Sequence, residues 1–361
     1  MLKKYVSLLL ITLFSTQMML AQSGKSVTDL PNISVIGNMI GTHQDSESDF
    51  TVKEIELSFQ HYLYPSVKAD VFTALHKEES GERNFELEEA YVTFSDVNSV
   101  FFPNNNLNLK LAALVGKKKA SVGKSNPLHP EQWQFVDRPL AMQQFLGGEE
   151  GLAAEGLQLN YLLPIPFFSQ LEVAYGVLAA HDDHDEEEEG EEEEAHGMEY
   201  EGKLLNTRLW NSFQLSENQE FEVGLNYVLG NASASSDDQQ QLIGTDLTLT
   251  KELNNDRYLK LQAEYYQATY GEEGEDREDQ TGGYLSLFYK LNSQYKVGAR
   301  FGQLSAHGDE GEDESQFAVM LTRQLTETSK FRLQYNSSEH DDNTLYVQFI
   351  FGMGPHSHVL Q

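Results

Sequence analysis

Residues 219–230 read QEFEVGLNYVLG. Phe221, Val223, Leu225, Tyr227 and Leu229 share one parity, and Glu220, Glu222 and Asn226 share the other. Successive side chains of a strand point to opposite faces, so this stretch has one apolar and one wet face. The pattern recurs. Leu259, Leu261, Ala263 and Tyr265 oppose Lys260, Gln262 and Glu264; Leu107, Leu109, Leu111, Ala113 and Val115 oppose Asn108 and Lys110; Phe331, Leu333 and Tyr335 oppose Arg332, Gln334 and Asn336. About sixteen such stretches run from 33–40 to 343–353, most near the ~9–11 residues that cross a bilayer at a tilt.

A soluble sandwich shows the same period, with its polar face outside. The connections separate the two. One set is short: 64–65, 216–218, 254–256, 292–293 and 326–328, with 96–106 and 163–168 as its longer members. The interleaved set is longer and acidic: 41–50, 77–84, 117–150, 181–200, 231–240, 270–280, 306–314 and 339–342. Strict interleaving puts one class at each rim, which a sandwich has no reason to do. The expected fold is all-β: a transmembrane antiparallel β-barrel of about sixteen strands, with short periplasmic turns and long acidic external loops. Closure is required because hydrocarbon offers no hydrogen bonds to a free sheet edge. Tyr62, Tyr64, Phe101, Phe102, Phe167, Phe168 and Tyr270 lie near strand ends, as aromatic girdles do.

Lys3 and Lys4 precede an apolar run from Tyr5 to Leu20, followed by Ala21-Gln22. That order describes a secretory signal peptide over 1–21. The competing membrane anchor is disfavoured because the run falls short of the ~20 residues a spanning helix needs. The barrel is expected over 22–353, followed by a periplasmic tail, 354–361, with His356 and His358. The chain has no cysteine, which excludes a disulfide framework and lipid attachment at an N-terminal cysteine. Without Lys3 and Lys4, 23 basic residues face 57 acidic ones, a net charge of −34. Nucleic acid would be repelled. No nucleophile matches His340, Asp341 and Asp342, and no phosphate-binding glycine loop is present, so no enzyme is expected.

The connection 117–150 carries Lys117, Lys118, Lys119, Lys124 and Arg138 together with Trp133, Phe135 and Phe145. Its length and apolar content predict folding into the lumen, where it would constrict a pore and favour anions. The alternative is a rim-packed surface loop whose lysines bind lipopolysaccharide phosphates. The lumen-facing parity collects both signs of charge. Lys68, Lys110, Arg208, Lys260, Lys296, Arg300 and Arg332 stand with Glu54, Glu56, Asp70, Glu172, Glu222 and Glu264. Opposed charges across a wet channel set selectivity. Neither sign dominates, so the solute stays open.

Residues 181–201 hold thirteen carboxylates among His181, His184 and His196. Imidazole with carboxylate suits Zn²⁺, and bunched negative charge also attracts Ca²⁺. Weak binding at several sites is one reading; a solvated acidic surface is the other. No cofactor is required by either.

The same region carries a resemblance. Val115-Gly116-Lys117, Asn126-Pro127-Leu128-His129, the string FVDRPL at 135–140, FLGGEEGL at 145–152 and YLLPIPF at 161–167 resemble a family of porin-like outer-membrane proteins. The broader class is similar to phosphate-selective porins, and some relatives are associated with zinc-regulated uptake. The resemblance is strongest over about 107–168. It implies a pore and supplies no catalytic residue. The expectation is therefore a porin in the outer membrane of a Gram-negative bacterium, in contact with lipid and lipopolysaccharide. It would pass small solutes or ions, with a homotrimer as an open arrangement. The alternative is a non-conducting surface barrel for metal capture or adhesion.

Overall fold

Alternation commits each stretch to a strand, and backbone pairing then closes the sheet. In the computed structural model sixteen antiparallel strands run in chain order around a closed barrel, and β1 pairs with β16. The structure describes residues 30–77, 81, 83–103, 109–178, 198, 200–231, 239–254, 256–270, 278–306, 311–339 and 342–355. The first eight strands are β1 (Asn32–Gln44), β2 (Glu47–Tyr64), β3 (Val67–Lys77), β4 (Arg83–Phe94), β5 (Leu111–Lys119), β6 (Ala153–Leu162), β7 (Phe168–Val177) and β8 (Glu201–Ser216). The second eight are β9 (Gln219–Asn231), β10 (Gln239–Glu252), β11 (Tyr258–Tyr270), β12 (Glu278–Lys290), β13 (Tyr295–Leu304), β14 (Glu314–Thr326), β15 (Ser329–Ser338) and β16 (Thr344–Met353). Two short helices, α1 (Val97–Phe101) and α2 (Leu140–Phe145), lie in connections.

The apolar parity faces out. Leu225, Leu259, Leu261 and Leu285 are exposed, whereas Asn226, Gln262, Glu264 and Arg332 on the other parity are buried. An apolar band on the outside of a closed barrel, around a polar interior, is the arrangement a bilayer requires. Tyr62, Tyr64, Phe101, Phe102, Phe167 and Phe168 are exposed beside the turns that follow β2, β4 and β6, so one rim carries an aromatic girdle.

Three boundaries differ from the sequence reading. The expected loop 41–50 is a two-residue turn, because Asp45 (φ 43°) and Ser46 (φ 72°) both take left-handed backbone. A turn with both central residues left-handed matches the twist of a hairpin, so β1 and β2 extend to meet it. β5 starts at Leu111 rather than 107, since Lys110 also takes positive φ (47°) and breaks the period. β5 then continues through Lys119, which shortens the following connection to 120–152. The expected signal segment 1–21, the tail histidines His356 and His358, and His181, His184 and His196 lie outside the described residues.

Candidate functional site: the lumen and its inward segment

The segment 120–152 between β5 and β6 lies inside the barrel. Its apolar side chains decide this. Val122, Ala141, Met142, Phe145, Leu146 and Leu152 are buried against Leu204, Val228, Leu242, Tyr266, Ala268 and Leu304. These wall residues sit on the inward parity of β8–β11 and β13. Phe135 joins a second cluster with Phe288, Ala318 and Met320. Burying a large apolar side chain contributes about 1.5–3 kcal/mol, so the patch holds the segment against the wall.

Polar anchors fix its register across β8–β15. Gly123 N donates to Asn226 Oδ1 (3.0 Å), and Lys124 N donates to Glu264 Oε1 (3.1 Å). Lys124 Nζ pairs with Glu222 and lies over the Trp210 ring. Arg300 donates to the Asp137 carbonyl (2.9 Å) and carboxylate (2.6 Å), and Asn336 donates to the same carboxylate (2.9 Å). Arg332 donates to the Phe135 and Trp133 carbonyls at 2.8 and 2.6 Å. Within the segment, Arg138 donates to Leu146 O (3.1 Å) and Asn126 Oδ1 (3.0 Å). Burial lowers the Arg138 guanidinium to about 10, still far above neutral pH, so it clamps the segment as a cation.

The opposite wall, β2 to β4, is acidic. Two bulges build it. Between β1 and β2 the pairing steps from Asn38–Glu54 to Met39–Val52 and passes over Lys53. Between β3 and β4 it steps from Phe72–Glu89 to Thr73–Leu87 and passes over Glu88. A bulge re-aims a side chain, and here two consecutive carboxylates turn into the lumen. His129 meets them. Its Nδ1 is 3.1 Å from Glu56 and 3.2 Å from Glu88, and its Nε2 is 3.1 Å from Glu89. Phe72 packs on the imidazole at a centroid distance of 5.1 Å. Burial and the Lys119 charge press the ring's pKa down. Hydrogen bonds to Glu56, Glu88 and Glu89 outweigh them and hold it well above the ordinary histidine value.

Between the segment and β8–β13 lies a cavity of about 340 Å³, lined by Lys124, Trp133, Trp210, Lys260, Phe288 and Arg300 among others. Lys260, Lys296 and Arg300 surround it or adjoin it, with Lys296 donating to Gln134 Oε1 (2.6 Å). The lumen thus has an acidic wall at β2–β4 and basic groups at β11–β15.

The residues singled out in the sequence fall in different places. Lys124 and Arg138 lie on the inward segment. Lys117, Lys118 and Lys119 belong to β5. Lys117 donates to Leu87 O (2.7 Å), Lys118 sits 3.6 Å from Glu89 and over the Tyr91 ring, and Lys119 donates to Glu150 O (2.9 Å). Arg208 pairs with Asp246 (2.8 Å) in the buried lumen. Glu264, Lys296, Arg300 and Arg332 are buried lumen residues, and Lys260 lines the cavity. Lys110 stands exposed just before β5, outside the alternating frame. The sequence reading missed His129, Glu88, Glu89, Glu131 and Asp137. The visible signal was apolar side chains on inward parity, such as Val228 and Leu242, which leave the inner wall with something to bury.

No known family profile matches the chain. An uncharacterized protein of Aquifex aeolicus (strain VF5) is 27% identical over 285 residues, a match that covers 67% of this chain and 58% of that protein. Among solved structures, the outer membrane channel DcaP of Acinetobacter baumannii superposes with a TM-score of 0.57 at 11% identity, covering 91% of this chain and 99% of that one. The anion-selective porin of Comamonas acidovorans gives 0.57 at 9% identity over 90% and 99%. OprB of Pseudomonas putida gives 0.56 at 11% identity over 90% and 94%. At these identities the likeness establishes the barrel fold.

Proposed function

We propose that this protein is a diffusion channel of the Gram-negative outer membrane, passing small solutes through a lumen narrowed by segment 120–152. The observation that carries this reading is the charge layout across that lumen. Glu54, Glu56, Glu88 and Glu89 stand on β2–β4, and Lys260, Lys296, Arg300 and Arg332 stand on β11–β15, with the segment between. Opposed charges across a narrow wet passage create a transverse field that orders water and sorts ions. The barrel fold shared with known porins and the apolar outer band support the same reading. The cavity is the part of the passage whose chemistry is best defined. Lys124, Lys260, Arg300 and Arg138 line it against Glu222 and Asp137, beside Trp133 and Trp210. That surplus of cations favours small anionic solutes there.

Planar-bilayer recording of the purified protein tests this reading. Discrete ohmic steps support it. A folded protein that inserts without conducting supports a sealed surface barrel instead. The segment's contacts with both walls are the observation that favours this second reading. A homotrimer belongs to the proposal and is tested by electrophoresis of unheated samples. We also retain divalent-cation gathering by the acidic loop 181–201, on its composition of thirteen carboxylates with His181, His184 and His196. Calorimetry with and without residues 181–199 tests it, and equal zinc uptake by both proteins would end it.

A further inference from the structure

We propose that Glu56, His129 and Glu131 form a site inside the lumen for one divalent first-row transition-metal ion. Each residue is fully buried, and each offers one ligand atom within 4.8 Å of the others. Bonds of ~2.0–2.2 Å from zinc to nitrogen and oxygen place neighbouring donors roughly 3.3–3.6 Å apart, so small side-chain rotations close the site. Glu54, Glu56 and Glu88 form a second such group, and Glu56 belongs to both. The site can thus recruit a fourth ligand from β2 or β4.

Glu56 is the observation that points to a ligand. Its side chain is wholly buried, its Oε2 faces His129 Nδ1 at 3.1 Å, and its Oε1 has no hydrogen-bond partner. Leaving a carboxylate oxygen buried and unmatched is costly, and natural interiors keep such groups for a reason. Five carboxylates, Glu54, Glu56, Glu88, Glu89 and Glu131, gather here beneath the protein surface. Lys118 and Lys119 offset the Glu89 side of the group, where Lys118 Nζ is 3.6 Å away and the Lys119 amide donates at 2.7 Å. A cation would bind on the Glu56 side, where Oε1 has no hydrogen-bond partner.

The local fold prepares these donors. A 3-10 turn at Pro130–Gln132 follows His129, and the Gln132 side chain accepts from the His129 amide (3.1 Å). This holds His129 and Glu131 two residues apart on one turn. Lys330 donates to the Glu131 carbonyl (2.5 Å), and Phe72 covers the imidazole face. One imidazole with carboxylates and no thiolate matches Zn²⁺ or Mn²⁺; the nitrogen donor disfavours Ca²⁺ and Mg²⁺. A bound ion would tie the inward segment to β2. It competes with the proton on the same ring, because a ligating imidazole must be neutral on the bonding nitrogen.

The test uses the full-length barrel, stripped with chelator and titrated with Zn²⁺ by calorimetry, with Co²⁺ absorption as a second readout. Variants Glu56→Gln, His129→Gln and Glu131→Gln leave the acidic external loops unchanged, so a difference reports the luminal site alone. Heat-modifiable migration shows which variants retain the barrel. The expected result is one tight event per wild-type chain. Affinity at that event should fall roughly 100-fold or more in each folded variant, with loss of the Co²⁺ ligand-field band. Should every variant misfold, the Co²⁺ band of the protein lacking residues 181–199 decides: nitrogen and oxygen coordination supports the luminal site, and a spectrum of the hydrated ion overturns it. Unchanged affinity and stoichiometry in the folded variants would overturn it too, leaving His129 a protonated anchor. None of these readouts requires that the barrel conduct.

Discussion

Asp137 on the inward segment accepts from Arg300 of β13 at 2.6 Å, and the same Arg300 side chain reaches the Asp137 carbonyl at 2.9 Å. The pair spans 163 positions of sequence and ties a connection to the wall opposite the strands that emit it. Arg300 is buried and Asp137 nearly so. Removing one partner of a buried pair strands the other, at a cost of ~3–5 kcal/mol. Asp137→Ala should therefore lower the unfolding midpoint and raise open-channel noise, because the segment loses its grip on β13 and β15. Arg300→Ala should do the same. A double variant no worse than either single one would confirm that the two act as a unit.

Gly123 is a second point of attachment. Its φ is +60°, and an added Cβ would fall 2.0 Å from a Glu264 carboxylate oxygen and 2.2 Å from the Tyr266 hydroxyl. Those distances are impossible, so Gly123→Ala must displace the buried ends of Glu264 and Tyr266 or shift the segment, in addition to the left-handed backbone cost, and either loosens its contact with β11. We expect faster proteolysis within 120–152 while the barrel stays folded. Proteolysis indistinguishable from wild type would show that the segment tolerates the shift.

The lipid face gives a depth-dependent test. Leu285 lies near the middle of β12 and is 49% exposed, whereas Leu325 lies beside the β14–β15 turn. Arginine at the midplane costs ~2–4 kcal/mol and near the interface ~0–1. Leu285→Arg should lower folding stability in vesicles by the larger amount and Leu325→Arg by the smaller. Equal costs would place the bilayer elsewhere.

Selectivity should follow the cavity. Lys260 lines it, and Lys124 enters it from the segment. Lys260→Glu reverses one charge without touching the Asp137–Arg300 tie. The reversal potential in a salt gradient should shift toward cations. An unchanged potential would mean that ions pass elsewhere.

Much of the frame was legible because a bilayer enforces it. The parity of 219–230 fixes β9, and Asn226 faces in while Leu225 faces out, as the alternation predicts. Fifteen other strands follow from the same period and the interleaved connections. The interior was less legible. Alternation assigns inward positions to polar residues and does not say what the apolar Val228, Leu242 and Tyr266 on that parity pack against. The bulge at Glu88 defeats parity altogether, since it sends Glu88 and Glu89 into the lumen together. His129 lies 40 residues from Glu89, a distance over which sequence spacing carries no geometry. Over 41–50 the acidic and polar composition reads as a loop, whereas the left-handed backbone of Asp45 and Ser46 makes a tight turn from it.

The central claim is that solutes cross this barrel through a passage that segment 120–152 narrows. Single-channel conductance of the intact protein, beside a variant in which residues 121–151 are replaced by a short Gly/Ser turn, measures it most directly. The account predicts discrete ohmic steps from the intact protein and severalfold larger steps from the variant. A folded, inserted intact protein that gives no steps would contradict it.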